Sequence, residues 1–143
     1  MFRSLLFPQS PPGIAPSVSL LLLRVVAGSA FMLHGWPKIQ KPMSWMQGTD
    51  FPGLLQGAAA LAEFGGGALW VAGGLTALAS LGIGATMGVA VWFHFSKGHP
   101  FVGKGGPAYE LATVYLAIAI VLFILGPGKL SVDAFLGGRK KEK

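Results

Sequence analysis

The chain contains no cysteine. That excludes disulfides, thiolate metal sites, persulfide carriage and cysteine-ligated iron–sulfur clusters within it, and it leaves the redox compartment unread. Charge is scarce as well: 11% of the 143 residues are Asp, Glu, Lys or Arg, against about 25% in ordinary soluble domains. With 52% hydrophobic residues in long blocks, an integral membrane protein of one domain is expected. No dinucleotide fingerprint and no CxxCH haem-attachment motif occurs, so nothing in the chain is recognisable as an electron carrier.

What charge there is favours one sign, with a formal net charge of +6. Six of the eleven basic residues, Arg3, Lys129, Arg139, Lys140, Lys141 and Lys143, lie in the two tails. Anionic lipid headgroups rather than nucleic acid are the partner this implies, because the charge flanks the apolar blocks instead of forming a patch. Residues 1–16 carry four prolines and no apolar run long enough for a span or a secretory core, so they read as an irregular cytoplasmic arm.

Four apolar blocks follow, and each is about the length that crosses a hydrocarbon core of roughly 30 Å. The first runs over 17–36 and is expected to stop at Pro37 and Pro42. Residues 54–96 hold one full charge, Glu63, over about twice a span length, and so must fold back once. The turn is expected at 76–85, where Gly82 and Gly84 admit strained angles and Ser80 can satisfy a helix end, giving spans near 54–77 and 79–96. A fourth span is expected over 108–126, before Pro127 and Gly128. The fold class is therefore all-α, a four-helix integral membrane bundle over 17–128, followed by a basic tail over 129–143. Both termini then share a side, and the positive-inside rule places them in the cytoplasm of a cell with the bundle in its inner membrane. Small residues at i, i+4 spacing, Ala58, Ala62 and Gly66 in one helix and Gly84 and Gly88 in another, predict close helix packing and allow a homo-oligomer.

Ionisable residues within the spans carry the functional signal, since each costs at least about 2.5 to 3.5 kcal/mol unless it is paired or wetted. Counting along the helices puts His34, Glu63, His94 and Glu110 in one layer, at the side opposite the termini, with Arg24 lower in the first helix and paired with Glu63. A polar pocket for an amphipathic head group results, lined by Arg24, Trp36, Trp70 and His94, roofed also by Trp92 and Phe93. His34, Glu63 and Glu110 are the candidate catalytic groups, because imidazole titrates near neutrality and a desolvated carboxyl can exchange protons. The plainer alternative is one Arg24–Glu63 ion pair that fixes helix register, with the histidines and Glu110 wetted at the interface. Glu63, Gly66, Gly67 and Trp70 share a face by the i, i+3, i+4, i+7 rule, and for the glycines close packing is the expected use. No metal is expected: His94 and His99 lack an i, i+4 partner, and His34 and His94 sit at span ends unsuited to haem.

Taken together, Arg24 with His34-Gly35-Trp36 and Lys38, the stretch AEFGGGALWVAGGLTALA around Glu63, GVAVWFHFSKG at the end of the third block and Tyr109-Glu110 in YELATVYLAIA resemble the DoxX family of small four-helix membrane proteins. That resemblance implies a link to the membrane subunits of thiosulfate:quinone oxidoreductase, and to membrane anchors that join superoxide dismutase and a sulfurtransferase. It implies a quinone as candidate substrate, no covalently bound cofactor, and a soluble oxidoreductase as candidate partner. Three classes of function follow: a quinone-linked oxidoreductase subunit, a non-catalytic anchor or assembly protein, and a small-solute transporter.

Overall fold

A computed structural model describes residues 13–138. Arg3, the arm through residue 12, and the basic cluster Arg139, Lys140, Lys141 and Lys143 lie outside the described residues. Five helices form: α1 Ile14–Ile39, α2 Gly53–Ala72, α3 Thr76–Ser96, α4 Glu110–Leu125 and a short α5 Val132–Gly138. No strand occurs among the described residues. α1, α2 and α3 are long and apolar enough to cross a membrane. α4 is apolar but has 16 residues, about 24 Å of helix, shorter than a hydrocarbon core of roughly 30 Å.

α1 packs on α2, α2 on α3 and α3 on α4 in an up-and-down bundle. The core is small and sits near the middle: Phe31 of α1 meets Trp70 of α2 edge to face at 5.6 Å and Tyr115 of α4 at 4.7 Å, with Ile83 and Leu122 fully buried beside them. Exposed Leu22, Val26, Leu33, Leu61 and Trp92 face outward, where lipid rather than water is the apolar solvent. The glycines serve the packing expected of them. A Cβ on Gly28 would stand 2.6 Å from the Gly67 carbonyl oxygen, and one on Gly67 would stand 2.7 Å from that of Gly28. The backbones of α1 and α2 therefore touch, which is how helices gain dispersion energy in lipid.

Three boundaries differ from those read along the chain, the first being that α1 begins at Ile14, inside the arm expected to be irregular through residue 16. α1 continues through Pro37 to Ile39, because proline keeps a helical φ and its missing N–H costs one bond near the helix end. The α2–α3 turn occupies Gly73 to Leu75, not 76–85: Gly73 takes a left-handed φ of 67°, and Leu75 follows at 45°. Gly82 and Gly84 lie inside α3, and Ser80 accepts a hydrogen bond from Trp70 Nε1 at 3.0 Å instead of closing a helix end. A leucine at positive φ is costly and needs support. Asp133 supplies it from 58 residues further along, accepting from Leu75 N at 2.8 Å and Thr76 N at 3.0 Å while its own N–H donates to Gly73 O at 2.9 Å.

Asp133 reaches that turn because residues 126–133 fold back under the bundle. Lys129 N donates to Ser17 Oγ, Ser131 Oγ donates to Gly128 O at 2.6 Å, and Ala134 N donates to Ser131 Oγ at the start of α5. The start of the supposed tail is thus a packed corner that joins both ends of the described chain.

Candidate functional site

The expected pairing of Arg24 with Glu63 does not form. Arg24 is fully buried and points toward the side of the termini, where Nη1 donates to Trp70 O at 3.3 Å and Nη2 to Leu130 O at 2.6 Å. It holds the carbonyl end of α2 against the 126–133 corner, to which Asp133 also belongs. The fit is close at Gly73, where a Cβ would collide with Arg24 Nη1. Arg24 therefore joins helices and lines neither of the two cavities that meet at Glu63.

Glu63 takes its partner from the last turn of α1. Lys38 Nζ donates to both carboxylate oxygens at 2.7 Å. The Glu63 side chain is 3% exposed and that of Lys38 25%, so the pair is buried on the acid's side and wet on the amine's. Lys38 reaches it because the helix continues past Pro37: Phe31, His34 and Lys38 then fall on one face at i, i+3 and i+7. On its far side the ammonium sits 4.4 Å from the Trp45 ring centroid, within the range of a cation–π contact.

Trp45 belongs to the 40–52 connection, which Gln56 of α2 fixes in place. Trp45 Nε1 donates to Gln56 O at 2.9 Å, Met46 N donates to Gln56 Oε1 at 2.9 Å, and Gln56 Nε2 donates to Phe51 O at 2.8 Å. Gln56 is buried, and each polar end of its amide is matched, as burial demands. The 40–52 segment is thus a fixed flap over the end of the bundle.

Two cavities meet at the Lys38–Glu63 pair. The larger, about 490 Å³, lies under the flap between α2 and α3 and is walled by small or apolar side chains such as Ala58, Ala62, Ala85 and Val89, with Phe93 and His94 at one side. The smaller, about 190 Å³, lies between α1 and α4 and is lined by Phe31, His34, Leu111 and Tyr115. Lys38, Glu63, Met87, Ala90 and His94 border both.

Of the residues expected in the pocket, Glu63 and His94 are there and His34 lines the smaller cavity from an exposed position. Trp70 is not: it is fully buried in the core. Trp36 packs on Phe64 at 5.7 Å with 56% of its surface exposed, and lines neither cavity. Glu110 is exposed at the first turn of α4, with its N–H donating to Phe101 O, and lines neither cavity. Sequence reasoning missed Lys38, Trp45 and Gln56. For Lys38 the signal was available, since Glu63 needed a cation and Lys38 lies on the same face of α1 as His34.

A family model described as DoxX matches residues 19–96, more than half of the chain. The chain belongs to the DoxX family. In this DoxX-family protein the matched segment holds Arg24, Lys38, Glu63 and His94 and both walls of the larger cavity, while α4 and the 126–133 corner lie beyond it. Family and helices together make it an integral membrane protein. Neither the curated proteins nor the solved structures contain a match to the chain.

Proposed function

We propose that this protein is the membrane subunit of an oxidoreductase system and binds a quinone in the larger cavity. One observation carries the reading: an apolar slot between α2 and α3 ends at a buried ion pair and an imidazole. A quinone has the matching form, an apolar tail and a ring whose two carbonyl oxygens need donors. Lys38 spends two of its three N–H donors on Glu63, which leaves one for a ligand oxygen. The apolar wall takes the tail at about 25 cal/mol per Å² buried.

Reduction of the bound quinone takes two electrons and two protons and yields the quinol. The electrons come from outside the chain, from a sulfur-containing reductant or a reduced partner protein, because the chain has no cysteine and no cofactor motif that would store them. The chain's own residues hold the ring, exclude water under the Trp45 flap, and exchange protons at its oxygens. The six basic residues of the tails, against four in the opposite loops, support a cytoplasmic side for both termini by the positive-inside rule.

The test is mass spectrometry of lipids retained by the protein in native-lipid particles. Stoichiometric quinone is expected in the wild type. Ala85→Phe, which fills the slot, is expected to remove it, and Glu63→Gln to lower occupancy at least about tenfold through loss of the charged anchor. Quinone at bulk-membrane level in the wild type would refute the reading and favour an anchor or a transporter.

A further inference from the structure

His94 Nδ1 and His99 Nδ1 lie 2.8 Å apart, with the rings tilted by 44° at a centroid distance of 5.1 Å. Two nitrogens at that distance share a proton. A zinc ion bound to both at about 2.0–2.1 Å would hold them about 3.3 Å apart in tetrahedral geometry. The pair forms because α3 ends at Ser96 and the chain reverses at Gly98, φ 70°, where His99 N donates to His94 O at 3.1 Å. That turn sets the two rings side by side.

Their settings differ in a useful way. His94 borders both cavities, whereas His99 lies half-buried in the 97–109 connection between exposed Gly98 and Pro100. Among the described residues, no side-chain hydrogen bond to either Nε2 occurs besides the shared Nδ1 contact. The ionisable groups facing His94 across the cavities are His34 and Lys38 of α1, Glu63 of α2 and Tyr115 of α4. Glu63 is already held by Lys38, so it is an acceptor in a closed pair rather than a free proton carrier.

We infer that His94 and His99 form a proton relay between the cavity and the aqueous face opposite the termini. A proton enters at His99 Nε2, the shared proton moves from His99 Nδ1 to His94 Nδ1, and His94 Nε2 delivers a proton to the ligand; the rings then part and each exchanges its N–H proton with water, His99 returning to the Nδ1–H form and His94 to the Nε2–H form. No proton is made or lost, and the direction reverses when quinol is oxidised. The inference rests on the quinone reading above, and it adds a residue, His99, and a side of the membrane on which the protons are exchanged.

Voltammetry in a supported bilayer tests it without any partner, since the electrode supplies the electrons to a short-chain benzoquinone bound by the full-length protein. His99→Ala is expected to slow the proton-coupled wave about a hundredfold, to leave quinone occupancy by mass spectrometry unchanged, and to recover when free imidazole is added to the buffer on the loop side. A structural role for His99 would not be rescued by imidazole. Full occupancy with an unchanged rate, or a slow rate that imidazole fails to restore, overturns the relay and leaves the quinone reading standing. Absence of quinone from the wild type overturns both.

Discussion

Charge removal at the α1–α2 pair offers the sharpest check on the structure, because it decides between two partners for Glu63. Lys38→Met removes the ammonium while keeping the apolar stem, and leaves a carboxylate whose side chain is 3% exposed without a counter-charge. Breaking a buried pair from one side costs about 3–5 kcal/mol, and the quarter exposure of Lys38 puts this one near about 3 kcal/mol. Glu63→Gln costs less, about 1–2 kcal/mol, since Lys38 can turn to water. With both changes no charge is stranded, and the double variant is expected within about 1 kcal/mol of the wild type. The coupling energy is then about 3–5 kcal/mol. The matching cycle of Arg24→Met with Glu63→Gln is expected to be additive within about 0.5 kcal/mol, because Arg24 bonds carbonyl oxygens at the other end of the bundle. Unfolding equilibria in mixed micelles titrated with sodium dodecyl sulfate, followed by circular dichroism, give all the required free energies. Additivity at Lys38–Glu63 together with coupling at Arg24–Glu63 would refute the pairing and the site built on it.

Further outcomes are expected in the same assay at Asp133, Gly67 and Gly88. Asp133→Ala strands the Leu75 and Thr76 amides at a strained turn and is expected to cost about 2–4 kcal/mol, with Asp133→Asn, which keeps one acceptor oxygen, costing about half as much; a loss below about 0.5 kcal/mol for the alanine variant would show that the cap is not needed. Gly67→Ala places a methyl against the Gly28 carbonyl and is expected to cost about 1–3 kcal/mol. Gly88→Ala, with no neighbour within 4 Å of the new Cβ, is expected to stay within about 0.5 kcal/mol of the wild type.

Where sequence reading succeeded and failed has a common cause. Glu63, Gly66, Gly67 and Trp70 were assigned one face of a helix from spacing alone, and all four are buried. Arg24 and Lys38 also share a face, being 14 residues apart, or about four turns. They differ in height by about 21 Å along α1, and which of them stands level with Glu63 depends on how far α2 slides along α1. Spacing within a helix cannot state that offset. The contact of Gly28 with Gly67 and the length of the 40–52 connection set it, and they bring Lys38 to the carboxylate.

Length and apolar content were enough to determine a helical membrane bundle, because these properties follow from the solvent each segment must face. The turn at Gly73, the Lys38–Glu63 pair, the corner around Arg24 and Asp133, and the His94–His99 contact were decided by tertiary structure. Except in the histidine pair, each brings together groups from different elements, and a polar group in a low-dielectric interior takes whichever partner packing brings within about 3 Å. Even the histidine pair, five residues apart, depends on a glycine reversal that moves His99 off the helix and back toward His94.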